Sequence, residues 1–187
     1  MHAPVLVSAP SATPVSLSEA KMHLRVDSTD EDDLITSLVK SATDHLDGYR
    51  GILGRCLVTQ TWRQDFDGFS GRILRLPLLA ATIASVKVLS SSDDLSTVSA
   101  DDYALRQDAM GSYVRFDDEY SLPGDLAQSN AVQVEFTAGF GAAADVPAAL
   151  KTAILLLVAH WYQHREAAGE SLAELPFGVA ALIAPYR

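Results

Sequence analysis

Residues 146–166, VPAALKTAILLLVAHWYQHRE, form the segment around which the rest of the chain must pack. This is the longest strongly helical run, and Pro147 suits a first helical turn because an N–H at that position would have no intrahelical partner. At 100° per residue, the apolar side chains fall on several sides of the helix rather than along one stripe. One side carries Leu150, Ile154, Leu157 and Trp161, and another carries Leu155, Val158, Ala159 and Tyr162. The sequence therefore predicts a helix over 146–166 that is covered on nearly every side, by the chain's own elements and by other subunits.

This helix is not predicted to cross a membrane. Its uninterrupted apolar run covers only residues 153–159, between Lys151 and His160, whereas a bilayer needs about 20 apolar residues. With 187 residues and 48% hydrophobic content, the chain can bury a core of its own, and a single main domain is expected.

Charge and cysteine content narrow the class of protein. The formal charge of -10 and the pI near 4.7 argue against wrapping nucleic acid, which requires Lys and Arg gathered on one face. The single cysteine, Cys56, excludes an internal disulfide and a cysteine-based metal site, and we expect it to be a buried thiol. Residues 1–14 have no positively charged start and are interrupted by prolines, so no targeting signal and synthesis in the cytoplasm are expected.

The N-terminal third predicts an arm followed by two helices. Residues 1–15 carry no period and are read as an extended or mobile arm. Ser16 and Glu19 form a capping box that begins a helix over 17–26. A second helix is predicted over 30–50, because one apolar stripe runs along it: Leu34, Ile35, Leu38, Val39, Ala42, Leu46 and Tyr49. The acidic residues at 27–33 suit the start of that helix, and they lack the glycine and distal glutamate of a calcium-binding loop.

Between residues 56 and 141 the hydrophobic period changes from 3.6 to 2. Alternating or β-branched runs predict strands at 57–66, 73–76, 83–89, 113–116 and 131–137. This pattern indicates a small antiparallel sheet inserted between helical parts. Its edge strands would have to be covered or used as an interaction surface.

The chain ends in the apolar segment LPFGVAALIAPYR, residues 175–187, with a short helix around 179–184. The residues alone leave open whether this segment docks on its own domain or on a partner. The complete prediction is an α+β, mainly helical fold, in which a helix pair and the long C-terminal helix pack together, with a small antiparallel β-sheet insertion and a short C-terminal helical tail. We divide the chain into an arm (1–15), one domain (16–170) and a C-terminal helical tail (171–187).

No arrangement of residues predicts catalysis strongly. His160 and His164 have the i, i+4 spacing of two metal ligands on one helix, with Glu166 nearby, but the glutamate of an HExxH motif and a third ligand are lacking. A small metal-dependent enzyme using these histidines is the alternative hypothesis, and polar positions near a helix end are the simpler interpretation. We expect no cofactor and no metal.

Several segments in order resemble a known family. They are SLSEAKMHLRVDSTDEDDLI, GRCLVTQTW, ILRLPLLAATIASVKVL, DDYAL, VEFTAGFG, the helix at 146–166 and LPFGVAALIAPYR. Together they resemble the head-to-tail connector, or adaptor, family of long-tailed bacteriophages and gene transfer agents, from Ser16 to Arg187. The chain departs from the family at residues 78–81, where the family often has a proline-rich run.

This resemblance implies a structural, non-enzymatic virion protein. It would form a ring of twelve copies beneath the portal, extend the DNA channel without binding DNA specifically, and offer a platform for the stopper or tail protein. Assembly would take place in the host cytoplasm, without a membrane. The resemblance places these residues at the portal contact: Leu175, Pro176, Phe177, Val179, Leu182, Ile183, Tyr186 and Arg187.

The acidic balance suggests a use within such a channel. Paired carboxylates in predicted loops, namely Asp93, Asp94, Asp117 and Asp118, would face the lumen and keep DNA from adhering during passage.

Overall fold

The computed structural model describes residues 2–164 and 177–187. Its helices are α1 (Leu17–Leu24), α2 (Asp32–Leu46), α3 (Ala148–Gln163) and α4 (Phe177–Ile183). Its strands are β1 (Val5–Ser8), β2 (Gln60–Phe66), β3 (Ile73–Arg75), β4 (Ala80–Leu89), β5 (Leu95–Thr97), β6 (Tyr103–Asp108), β7 (Gly111–Phe116) and β8 (Val132–Ala138). The chain divides into two compact units. The β unit comprises Met1–Pro10 and Thr59–Gly139, and the helical unit comprises Ser11–Val58 and Phe140–Arg187.

The prediction of a mainly helical fold is wrong. Helix accounts for 31% and strand for 28% of the described part of the chain, with two antiparallel sheets. The sequence underestimated the strands because three of them lack a clear alternation of apolar and polar residues. In β6, for example, Arg106, Gln107 and Asp108 are all exposed, yet the strand forms because it pairs along its length with β7. Hydrogen bonding to a neighbour, rather than local pattern, defines such a strand.

The helical unit forms around α3, which packs against α1, α2 and α4. The capping box at the start of α1 is present, with Ser16 accepting from the Glu19 N–H at 3.2 Å. The stripe of α2 is buried at Ile35, Val39 and Leu46. The described cover of α3 therefore comes from the chain itself, and residues 153–162 are all buried or partly buried.

Helix α2 ends at Leu46, short of the predicted Arg50, because the chain turns sharply there. The Asp47 carboxylate accepts a hydrogen bond from the Leu57 N–H at 2.5 Å, and the Ile52 N–H reaches back to the His45 carbonyl at 3.0 Å. Only glycine fits at position 51, since a Cβ would lie 2.3 Å from the Asp47 carbonyl oxygen.

The β unit contains two sheets. The five-stranded sheet has the order β1-β2-β8-β4-β5, and the three-stranded sheet has the order β3-β7-β6. Every pairing is antiparallel. Along the central strand β8, Val132, Val134 and Phe136 are fully buried, while the residues between them are only partly buried. The β unit thus has its own core, as alternation on a one-sided sheet predicts.

No helix within residues 2–164 or 177–187 is long and apolar enough to cross a bilayer.

Candidate interaction surfaces

The C-terminal segment forms a helix whose apolar face is used within the chain. Val179 and Ile183 have 0% and 1% of their surface exposed and belong to the core of the helical unit. They are four residues apart, so they share the face of α4 that meets α3. Leu182 and Tyr186 pack partly against the same core, and Tyr186 meets the ring of Phe140 edge-on at 6.3 Å between centroids.

The structure therefore does not place the predicted portal-contact residues on one exposed surface; Leu182 and Tyr186 are only partly buried. Leu175 and Pro176 lie outside the described residues, and Phe177 is the first residue of α4. The two most apolar described positions, Val179 and Ile183, face inward, whereas Arg187 is exposed. Small residues that the sequence analysis did not assign to any role are also exposed here: Ala180 and Ala181 on α4, and Ala184 directly after it.

The predicted acidic residues lie in loops of two different sheets. Asp93 and Asp94 form the turn between β4 and β5, where Asp93 has a left-handed backbone with φ 64° and the Asp94 carboxylate accepts from Ser92 at 2.9 Å. Asp118 follows β7 and pairs with the Arg115 guanidinium at 3.0 Å. Asp118 is thus partly neutralised, whereas Asp93 and Asp94 have no ion pair among the described residues.

The three-stranded sheet has an arginine-rich face that the sequence analysis did not predict. Arg75, Tyr113 and Arg106 lie side by side on three neighbouring strands, and the Arg75 guanidinium sits 5.4 Å from the centre of the Tyr113 ring. Arg75 also binds both oxygens of the Asp108 carboxylate, at 3.0 and 2.7 Å. This hydrogen bonding lowers the pKa of Asp108, so the pair stays charged. The only signal in the sequence was the alternation in YVRF, which does not reveal strand register.

The N-terminal segment is the second surface that the sequence analysis missed. Strand β1 lies within the predicted arm and pairs with β2, although all four of its residues are exposed. It is anchored beside its start by His2, whose ring lies 2.6 Å from the Asp67 carboxylate and whose carbonyl accepts from the Gln64 amide at 2.8 Å. The His2 hydrogen bond, together with the Asn130 N–H, lowers the pKa of Asp67.

The two histidines of the alternative hypothesis are adjacent, with ring centroids 4.7 Å apart. The Nδ1 of His164 lies 2.8 Å from the His160 carbonyl oxygen, so a backbone contact occupies one ring nitrogen. Within the described residues, no group of three His, Cys, Asp or Glu side chains could hold a metal ion. Glu166 lies outside the described residues.

Two smaller predictions concern single sites. Cys56 is buried, with 4% of its surface exposed, as expected of a structural thiol. The acidic segment leads into α2 at Asp32, whose carboxylate lies 2.6 Å from the Lys21 ammonium. That ion pair ties the start of α2 to α1, which is a structural use of the acidic segment.

The fold and its surfaces define a class: a structural α+β protein whose exposed features are strand edges, loops and small-residue helix faces. The family of phage gp6-like head-tail connector proteins matches residues 14–70 and 125–187. The chain belongs to this family, which confirms the resemblance, and it is accordingly a structural connector rather than an enzyme. No curated protein sequence matches the chain.

Solved structures with the same fold come from gene transfer agent (GTA) particles. The neck of an empty GTA particle, computed with C6 symmetry, contains a chain with 25% identity and a TM-score of 0.79, covering 100% of this chain and 95% of that one. The virion of a native GTA particle contains one with 25% identity and a TM-score of 0.76, covering 98% and 94%. The neck of a native GTA particle, computed with C12 symmetry, contains one with 24% identity and a TM-score of 0.78, covering 100% and 95%.

Proposed function

We propose that this protein forms a ring in the neck of a phage or GTA particle, between the portal and the stopper or tail protein. The ring extends the DNA channel and completes the head-to-tail interface, after assembly in the host cytoplasm. The observation that carries this proposal is the similarity to the chain in the empty GTA neck, which spans this entire chain at a TM-score of 0.79. That neck was computed with C6 symmetry, and a ring of twelve copies is compatible with it.

Binding, rather than turnover, is the mechanism of such a ring. Each copy repeats the same head-to-tail contact with the next one, so that two different surfaces of the chain meet at every junction. Weak pairwise contacts then add up once the portal holds several copies together. Exposed surfaces on a stable fold satisfy this requirement without any catalytic group.

The C-terminal helix is our proposed portal contact, but the burial of its residues limits which of them can reach the portal. Because Val179 and Ile183 are buried against α3, they can touch a portal only if α4 leaves its own unit. While α4 stays docked, the contact is made by the exposed or partly exposed residues of α4 and of the turn after it, including Leu182, Tyr186 and Arg187. This outward face is where portal binding is best tested.

The test mixes purified protein with portal-containing heads that lack a neck, and images the particles. Leu182→Asp together with Arg187→Glu is expected to leave the protein folded by circular dichroism and to abolish density below the portal. Ala148→Asp, an exposed position at the start of α3, is the matched control and should bind normally. Normal occupancy by the double variant would reject the portal contact, and failure of the unaltered protein to bind would reject the proposed function.

For the channel lining, we propose that Asp93 and Asp94 face the DNA, with Asp117 and Asp118 close to it. The first pair suits this role better, because Asp118 has Arg115 beside it. Asp93→Lys with Asp94→Lys should slow the passage of DNA, measured as ejection from completed particles, while Asp118→Lys should have a smaller effect. Equal ejection rates in all variants would contradict a lumen position for these loops.

A further inference from the structure

The five-stranded sheet is open, with β1 at one edge and β5 at the other. Within the described residues, no strand pairs with the outer side of either one. An unpaired strand edge presents N–H and C=O groups that can add a strand from another chain. Natural proteins commonly guard such edges with charged side chains, but β1 reads VLVS and β5 reads LST, without a charge in either.

Both edges also expose apolar side chains. Val5, Leu6 and Val7 are 44%, 43% and 49% exposed, and Leu95 on β5 is 52% exposed. Three consecutive exposed apolar residues occur nowhere else among the large exposed hydrophobic residues described. An outer edge without a neighbouring strand and exposed apolar side chains therefore occur together on both strands.

We propose that β1 of one copy pairs with β5 of the next copy in the ring, joining the five-stranded sheets into one belt. This inference rests on the ring of the proposed function. A head-to-tail contact needs two different surfaces on one chain, and the two edges of one sheet supply them. Pairing of β1 with β1 of another copy would instead give a dimer, in which this edge is no longer available for extending a ring.

Strand direction fits this arrangement. Every neighbouring pair in the sheet is antiparallel, so in a sheet of five strands β1 and β5 run in the same direction. Rotation about a ring axis leaves the component of a strand along that axis unchanged, so strands that run along the axis meet as a parallel pair at the junction between copies. Such a junction is short, since β1 has four residues and β5 has three. A short, weak junction is what a ring stabilised by many repeats can use.

Disulfide trapping tests the pairing directly. Neighbouring strands lie about 4.7–4.9 Å apart, within the Cα–Cα range that a disulfide spans. Leu6→Cys is combined in one chain with Leu95→Cys, Ser96→Cys or Thr97→Cys, so that neighbouring registers are sampled. The native Cys56 is buried and does not compete. Rings assembled on portal-containing heads are oxidised and run on a non-reducing gel.

At least one of the three double variants is expected to give a ladder of linked chains, and the single-cysteine variants none. Met22→Cys with Ser96→Cys is the matched control, because Met22 is 79% exposed but lies on α1. Rings that are visible by electron microscopy but give no ladder in any register would overturn the strand pairing and leave the proposed function intact. A linked dimer from Leu6→Cys alone would overturn it as well. Absence of rings on the heads would overturn the proposed function, and this inference with it.

Discussion

The apolar residues at the two ends of the chain differ in how far they are buried. At the C-terminal end, Val179 and Ile183 are buried in the core of the helical unit, with 0% and 1% exposed. At the N-terminal end, Val5 and Leu6 remain 44% and 43% exposed, although their backbone is paired with β2. The C-terminal end has its apolar side chains buried, whereas the N-terminal end has only one edge of its backbone paired with a neighbouring strand.

This difference shows that hydrophobicity in the sequence does not by itself identify a docking surface. The C-terminal segment has the more apolar sequence, yet its helix can cover its own apolar face by packing on α3. A strand at a sheet edge cannot do so, since its side chains point to the two faces and its outer backbone points away from the sheet. The secondary structure of an end therefore decides how much of it remains available to a partner.

The largest effect is expected from Ile183→Ala, which tests whether the C-terminal end is buried in the free chain. Removing a buried Ile side chain should lower the free energy of unfolding of the helical unit by about 2–5 kcal/mol, because α4 contributes to its core. Urea unfolding, monitored by tryptophan fluorescence, measures this free energy in a Trp62→Phe background. Trp161 on α3 is then the one remaining tryptophan and gives the signal.

The control for this measurement is Ala180→Ser, on the exposed side of α4, which should change the stability by less than about 0.5 kcal/mol. If Ile183→Ala were as neutral as this control, α4 would be undocked in the free chain and the contrast between the two ends would disappear.

The second prediction concerns the start of α1, the first helix after the N-terminal strand. Ser16→Ala removes the cap of α1 and should cost about 1 kcal/mol, again reported by Trp161. The pKa of Glu19 is held below its ordinary value by hydrogen bonds from the Ser16 backbone N–H and the Ser16 hydroxyl. Ser16→Ala removes only the hydroxyl and should therefore raise this pKa part of the way. A lowered carboxyl pKa stabilises the fold above the unfolded pKa, and this contribution is lost as the pH falls through the folded pKa.

Titration of Glu19 by NMR checks the second part of this prediction. Asp108, whose pKa is lowered by its hydrogen bonds to Arg75, serves as the internal reference and should keep the same pKa in both proteins. The backbone N–H of residue 16, which donates to the Glu19 carboxylate at 2.7 Å, is retained in Ser16→Ala. An unchanged Glu19 pKa would therefore show that this N–H alone, without the Ser16 hydroxyl, causes the shift.

The sequence predicted the helical unit well, because its signals are local. The stripe of α2 is a repeated 3.6-residue pattern, and the spacing of Ser16 and Glu19 is a capping box within four residues. The burial of α3 on nearly every side followed from apolar residues around its whole circumference. What covers α3 could not be predicted in the same way, since an apolar face does not identify its partner.

The β unit was predicted less completely, because its decisive features depend on register between distant strands. Strand β1 looks like an extended arm in the sequence and becomes a strand only through pairing with residues such as Arg63. Likewise, Arg75, Tyr113 and Arg106 come from three separate strands and share a face only once β3, β7 and β6 are aligned. A single sequence contains the alternation of each strand but not the alignment between strands.

The third prediction concerns the anchor of the N-terminal end. Asp67→Asn removes the charged partner of His2 and should speed amide hydrogen exchange in β1 several-fold, because the start of the strand is then held less firmly. The pKa of Asp67 is lowered by its hydrogen bonds to His2 and Asn130. The interaction between His2 and Asp67 should therefore be fully present at a pH above the ordinary carboxyl pKa, and it should weaken as the pH falls through the lowered pKa of Asp67.

Hydrogen exchange with mass spectrometry resolves this effect, with Asp94→Asn in the β4–β5 turn as the control that should leave β1 unchanged. Exchange in β1 that is equally slow in Asp67→Asn would mean that pairing with β2 alone holds the strand.

The smallest effect is expected from Leu6→Ala. Since this side chain is 43% exposed, its truncation should change the free energy of unfolding of the free chain by less than about 0.5 kcal/mol. Leu74→Ala, in β3 of the same unit with 1% exposed, should cost about 2–5 kcal/mol. Trp62, which lies opposite Leu6 on β2, reports both changes in a Trp161→Phe background. A loss above 1 kcal/mol for Leu6→Ala would mean that β1 is already covered in the free chain, and the exposed end would then resemble the buried one.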